Sequence, residues 1–341
     1  MRELTLDKLP DKILAKLDME TVFKASRCLI AAEKLLVFRK LHGKELSAAD
    51  IGQRTGMHRR YCGPFLDYLV FLGLLRKRGN LYCNSPLANK HFIKERSIDW
   101  TRLWSGECTK DYEAMTVMED VLVSGRDWRR ILDIERPPDY ELAQNDPAWA
   151  RGFAYALYDI YRPDAEILAK NLDLRNYQSL LDVGGGSGVM SIALARAYPH
   201  LKACVLDFKY VCEAARKIIR KERLSRRIST LAGDMNKGIP GGFDVIMFWN
   251  IGIVDTRVIK MAYKRLPAGG MIVRDCFPPS RSKTPPLTRF IHEYLSVRPE
   301  SENKKSMISS IKEAGFKAVK YRRIARHIGL ITGHKGKARD K

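Results

Sequence analysis

Apolar positions recur along this chain at helical spacing in its first half and as short unbroken runs in its second. From Asp18 to Leu41 the residues Val22, Ala25, Leu29, Ala32 and Leu36 share one helical face, which predicts a helix. Ser47-Ala48-Ala49-Asp50 resembles a capping box, with a hydroxyl at its start and a carboxylate at its end, so a short helix is expected to Arg54. Thr55-Gly56-Met57 turns the chain. Arg60 to Leu75 follows as a helix with Phe65, Leu69 and Leu72 on one side. Arg76 to Asn80 reads as a tight loop, and Leu81 to Asn84 starts a short strand. Helix, turn, helix and wing make a winged-helix arrangement. His91 to Asp164 is mostly helical, broken at Arg136-Pro137-Pro138-Asp139, and Phe153 to Ala169 is patterned as a helix.

Beyond residue 171 the period changes. Ser179 to Val183 reads as a buried strand, and Lys202 to Leu206, Ile228 to Ala232, Phe243 to Trp249 and Met271 to Phe277 as further strands, with helical patterns at Val189 to Tyr198 and Thr256 to Leu266. Further helices are expected at Pro285 to Leu295 and Ser306 to Ala314, then a hairpin of Lys317 to Ile324 and His327 to Thr332. Five βα steps and a closing hairpin predict a seven-stranded, mostly parallel sheet of the α/β class.

The first of these strands runs into Gly184-Gly185-Gly186-Ser187-Gly188. Strand, glycine turn and helix form the first half of a nucleotide-binding unit. The pattern is G-x-G-x-G after an acidic residue, not the dinucleotide G-x-G-x-x-G. Asp182 just before the turn opposes a phosphate and suits a cation. S-adenosyl-L-methionine (SAM) has no phosphate and carries an ammonium and a sulfonium. Downstream, Asp207 ends the second strand, where a carboxylate can take both ribose hydroxyls. Phe208, Asp234-Met235 and Trp249-Asn250 follow the second, third and fourth strands, at the carboxyl ends where open parallel sheets bind ligands.

On the motifs Leu181-Asp182-Val183-Gly184-Gly185-Gly186-Ser187-Gly188, Tyr198-Pro199, Leu206-Asp207-Phe208, Gly233-Asp234-Met235 and Pro267-Ala268-Gly269-Gly270, residues from about 20 to 330 resemble the two-domain small-molecule O-methyltransferases. That group includes plant phenol and hydroxyindole methyltransferases and bacterial relatives acting on polyketides and tetrapyrroles. The resemblance implies a class I SAM-methyltransferase, Rossmann-like seven-stranded sheet with an N-terminal all-α, winged-helix domain. It implies SAM as cofactor, bound by Asp182, Gly184, Gly186, Asp207, Phe208, Asp234, Met235, Trp249 and Asn250. Tyr158, on the helix that precedes the glycine turn in the family, joins this set because it shares a face with Arg162 that can look into the cleft. Residues 1–100 would form the dimerisation domain, 101–170 a helical linker and acceptor-pocket segment, 171–333 the SAM domain and 334–341 a basic tail. Four of the chain's five tryptophans, Trp100, Trp104, Trp128 and Trp149, fall in the helical stretch His91 to Asp164, where flat side chains suit a ring-shaped substrate.

Net charge adds a second possibility. The 341-residue chain carries +22, with 17 Lys and Arg against 6 Asp and Glu over residues 271–341. A field of this sign attracts nucleic acid, an anionic membrane surface or a polyanionic metabolite. A free-standing winged helix could set Arg59, Arg60, Arg76, Lys77 and Arg78 against phosphates. Attachment to a SAM domain favours dimerisation instead, and no Asn-Pro-Pro-Tyr-like tetrad follows the fourth strand. No apolar run approaches the ~18 residues of a membrane span. Seven cysteines without a C-x-x-C pair predict free thiols in the cytoplasm and no metal site.

The family's catalytic histidine follows the fourth strand. Here the segment is Trp249-Asn250-Ile251-Gly252-Ile253-Val254-Asp255, and alignment places Ile251 or Gly252 at that position. Neither is a base. His292 is the substitute expected from the helix after the fifth strand; alternatively the acceptor is activated carbon or ionised oxygen, or SAM is bound without methyl transfer. The expectation is a methyltransferase of a small, cyclic, acidic metabolite at oxygen or carbon, working as a homodimer. The alternative is a nucleic-acid-binding SAM protein.

Overall fold

A computed structural model of the chain describes residues 22–94, 98–134, 139–251, 254–276, 304–325 and 328–336. Contacts divide it into two units, residues 1–133 and 134–341.

In the first unit, helix α1 (Val22–Lys34) does not continue to Leu41. Leu36 adopts left-handed φ 57°, ψ 31°, and a short helix α2 (Val37–Lys40) restarts beyond it. An unbroken helix would have kept Leu36 on the buried stripe. The kink instead puts Val37 and Phe38 into the core, both at 0 % exposure, and Phe38 stacks on Phe92 at 4.6 Å. Burying such a ring stabilises by about 1.5–3 kcal/mol, enough to offset the ~1–2 kcal/mol of a left-handed leucine. Strand β1 (Leu46–Ser47) leads into α3 (Ala48–Thr55). The capping box forms: Asp50 N–H donates to Ser47 Oγ and Ser47 N–H to Asp50 Oδ2, both at 3.2 Å. Helix α4 (Arg59–Phe71) follows.

The expected loop at 76–80 is mostly strand. β2 (Leu75–Arg78) pairs with β3 (Leu81–Asn84) in a sheet of order β1-β3-β2, and only Gly79, at φ 56°, and Asn80 turn. Charge does not forbid a strand whose Arg76, Lys77 and Arg78 all face solvent. Helix α5 (Ile98–Met115) packs against α1. The segment expected as a linker over 101–170 is therefore shared: its first part folds with the winged helix, its second with the sheet below.

The second unit begins its sheet after α6 (Pro147–Asn171). In chain order come β4 (Ser179–Val183), α7 (Val189–Ala197), β5 (Lys202–Asp207), α8 (Lys209–Lys221), β6 (Ile228–Ala232) and β7 (Val245–Phe248). Then follow α9 (Thr256–Arg265), β8 (Met271–Cys276), α10 (Lys304–Glu313), β9 (Lys317–Arg323) and β10 (Gly329–His334). The seven strands stand in the order β6-β5-β4-β7-β8-β10-β9, parallel except for β10. Val183, Leu206 and Phe248 end β4, β5 and β7 within one or two residues of each tip. The order reverses at β4, the switch point at which such sheets open a crevice. α6, α7 and α8 bury one sheet face through Leu168, Leu194 and Ile218, all at most 2 % exposed. α9 and α10 bury the other through Ile259 and Ile311.

Residues 334–336 are not a loose tail. His334 completes β10, and Lys335 exchanges backbone hydrogen bonds with Gly269 and Gly270. The rest of the expected tail, and the helix Pro285 to Leu295 with His292, lie outside the described residues. All seven cysteines are free thiols. Among the described residues no helix is long and apolar enough to cross a membrane.

Candidate functional site

The glycine turn owes its shape to three residues with positive φ: Gly184 (64°), Gly186 (55°) and Gly188 (75°). Side chains rarely adopt that region. Gly185 is constrained differently, because a Cβ there would stand 2.6 Å from the Asp182 carboxyl carbon. The turn therefore lies directly on Asp182. That carboxyl is fully buried, accepts a 2.7 Å hydrogen bond from Ser191 Oγ, and has no partner at Oδ1. Burial pushes its pKa up to about 7, with the Asp207 charge adding to the rise. An acid left short of partners under a glycine turn fits a cation held above that turn.

Asp207 stitches the next tip to the turn. Its Oδ2 accepts the Gly186 N–H at 2.8 Å and its Oδ1 accepts the Phe208 N–H at 2.7 Å. Gly184 N–H donates to Leu206 O at 2.7 Å, and Gly233 N–H to Asp207 O at 2.9 Å. Burial raises the Asp207 carboxyl to about 6, against the lowering effect of its two backbone donors. Ribose hydroxyls donating to this carboxylate would supply what burial has removed. Phe208 begins α8 and packs with Val211 and Ala150.

The third and fourth tips converge on the same end. Asp234 accepts the Asn236 N–H at 2.9 Å, and Met235 packs on the core beneath. Trp249 is buried at 4 % exposure. Asn250 sits at φ 56°, a conformation asparagine tolerates better than most residues, and its N–H donates to Asp275 Oδ2 at 2.9 Å.

Tyr158 is placed differently from the expectation. Its ring belongs to the core cluster and its hydroxyl hydrogen-bonds Glu222, beyond the far end of α8 from Asp207. Burial, then that carboxylate, push the phenol up to about 12. Arg162 does share its face, 5.8 Å from the ring. The same helix sends other residues to the tips. Leu157 Cδ1 lies 3.9 Å from where a Gly186 Cβ would be, and Tyr161 hydrogen-bonds Asn250. Leu157 and Tyr161 are four apart, so helical spacing alone groups them once either is placed.

Of the two positions expected for the base, Ile251 is described, and its Cδ1 lies 3.0 Å from where a Gly184 Cβ would be. An apolar side chain thus covers the turn. Gly252 and His292 lie outside the described residues. Of the tryptophans, Trp128 is buried and Trp149 stacks on Phe153 at 4.6 Å; the Trp100 and Trp104 side chains are outside the described set.

A family model described as an O-methyltransferase domain matches residues 117–317, and one described as an O-methyltransferase dimerisation domain matches residues 17–93. The chain is 33 % identical over 195 residues to the tetracenomycin polyketide synthesis 8-O-methyl transferase TcmO of Streptomyces glaucescens, a match that spans 56 % of this chain and only 55 % of TcmO. It is 26 % identical over 329 residues to the N,N-dimethyltransferase OxyT of Streptomyces rimosus, covering 92 % and 93 % of the two chains. It is 30 % identical over 281 residues to the L-tyrosine C(3)-methyltransferase of Streptomyces lavendulae, covering 76 % and 75 %. Among solved structures, PigF with SAH superposes with a TM-score of 0.77 at 21 % identity, covering 93 % and 97 %.

Proposed function

Since this chain belongs to the O-methyltransferase family, whose members depend on SAM, we propose that it transfers a methyl group from SAM to a small, cyclic, acidic metabolite at oxygen or carbon. The observation that carries the reading is the Asp207 carboxylate, tied to the glycine turn through Gly186 and set at the sheet's switch point. SAM, when bound, supplies the electrophilic methyl group and its leaving group. The chain's own residues hold it. Asp207 would hold the ribose hydroxyls, Asp182 would balance the ammonium from beneath the turn, and Gly184 and Gly186 would allow close backbone approach. Trp249, Asn250 and Met235 would stand on the adenosyl side.

Ile251 narrows the chemistry. One of the two positions that alignment offers for the family's histidine, it has no acid–base function and covers Gly184. The acceptor then either arrives as a competent nucleophile, an ionised oxygen or an activated carbon, with the enzyme contributing position, or gives its proton to another group, for which His292 is the candidate. Alignment in the line of displacement is worth roughly 7–11 kcal/mol.

A homodimer through the N-terminal module, working in the cytoplasm, completes the proposal; the match to a dimerisation domain and the free thiols support it. The nucleic-acid alternative is weakened by the wing itself. Lys77 is paired with Asp67 at 2.7 Å and Arg78 with Glu45 at 3.5 Å, so two of its five expected phosphate contacts already have acidic partners.

Calorimetric titration with SAM tests the cofactor site. Asp207→Ala should weaken binding about 10- to 100-fold, the worth of a hydrogen bond to a charged group. Unchanged affinity in a folded variant would remove Asp207 from the site.

A further inference from the structure

A cavity lies against β8, β10 and β9, away from the glycine turn. It has a volume of about 740 Å³, within the range of small-molecule pockets. Its floor is the face of β8, β10 and β9 on the α6 side of the sheet, and its wall is the segment joining α6 to β4. Met271, which opens β8, pairs with His334, and Leu330 pairs with Asp275 near the other end of β8, so the cavity runs along the strands. None of its lining residues belongs to the tips.

Alternation along the strands decides its chemistry. Lys320 and Arg322 of β9 share one face, opposite Thr332 and Leu330 of β10. Tyr177 closes the wall, its hydroxyl 3.4 Å from His334 Nδ1. Two cations, two phenols (Tyr177 and Tyr321), an imidazole and a hydroxyl thus line the cavity, over Met271 and Leu330, which are buried at 3 % and 4 % exposure. Asp173, on the rim, is already paired with Arg175 at 2.6 Å. Arg322 is steered across the groove by a hydrogen bond to the Asn171 carbonyl. The cluster is rich in hydrogen-bond donors beside an apolar surface.

We infer that this cavity is a second binding site, for an organic carboxylate with an aromatic or aliphatic body. The anion would sit between Lys320, Arg322 and Tyr177, with its body against the Tyr177 ring and the aliphatic stems of Lys320 and Arg322. Independent of this geometry, burial and then the Lys320 charge hold the His334 imidazole below its usual pKa. A bound anion would offset both effects, so His334 reports occupancy. The inference does not depend on methyl transfer.

The test is nuclear magnetic resonance of the full chain labelled at histidine, titrated with benzoate, with neutral benzamide and with inorganic phosphate. Benzoate should shift the His334 ring signals saturably and raise that imidazole's pKa. Benzamide and phosphate should do neither. Lys320→Met, at an exposed position, should weaken benzoate about fivefold, the upper end for an exposed ion pair. Tyr177→Phe should weaken it by a similar factor, with SAM binding unchanged in both as the check on folding. No response at His334, or a benzoate affinity untouched by both substitutions, would overturn the site. An equal response to benzamide would overturn the anion assignment, and an equal response to phosphate would overturn the apolar body.

Discussion

Cofactor binding should release protons, and the Asp207 carboxyl should contribute a share that substitution can isolate. Burial raises that group from 3.8 to about 6. At pH 6 it is half protonated before binding. Ribose hydroxyls donate more strongly to the carboxylate than to the acid, so binding should return the pKa towards about 4, the ordinary carboxylate range. About half a proton per site is then expelled at pH 6, and far less at pH 8, where the group is already ionised. Asp182, raised to about 7, adds in the same direction when a cation settles over the turn. The assay is calorimetric titration with SAM in two buffers of different ionisation enthalpy. The slope of observed heat against buffer enthalpy is the proton count. Asp207→Asn should remove this residue's share. The pH dependence of stability has the opposite sense to that of binding. Because the folded carboxyl binds its proton more tightly than the unfolded one, the ligand-free protein gains stability as pH falls from about 7 towards 4. The gain is on the order of 3 kcal/mol for a shift of this size. Affinity for SAM falls over the same window. A proton count of zero at pH 6, or one that Asp207→Asn leaves intact, would refute the reasoning.

Three further outcomes are expected. Gly185→Ala forces a methyl into the Asp182 carboxyl at 2.6 Å; thermal unfolding should show a loss of at least the ~1–3 kcal/mol of an overpacked site, with SAM binding lost as well. Tyr161→Phe removes its hydrogen bond to Asn250 and should cost about 1 kcal/mol of stability and weaken SAM binding by several fold, read by denaturant melts and titration. His292→Ala should leave turnover within a few fold if the acceptor needs no base; a fall of roughly 10²–10⁴-fold would make His292 the base and reverse the reading of Ile251.

Much of the sheet was legible in the chain because its signals are local. The runs at 179–183 and 202–206 are too short and too apolar to be anything but buried strands, and each is followed within two residues by the chemistry of its tip; the run at 228–232 also forms a strand, but at the sheet edge, where Leu231 is 42 % exposed. The capping box at Ser47 was legible for the same reason: its partners are three residues apart. The places that could not be read all depend on distant partners. Leu36 fits the helical stripe perfectly well, and only the position of Phe92 makes a kink after it favourable. Tyr158, Leu157 and Tyr161 follow one another on α6, but which of them meets the tips depends on how that helix rolls against α7 and α8. The roll gives Tyr158 to Glu222, while Leu157 approaches Gly186 and Tyr161 bonds Asn250. The Asp182 carboxylate was read as a charge before a turn. Its depth under Gly185, and hence its raised pKa, arises only when the turn folds back over it. Local hydrogen bonds and hydrophobic period thus determined the elements and the order of the tips. The burial of each charge, and the face each helix presents, were decided by packing between residues far apart in the chain.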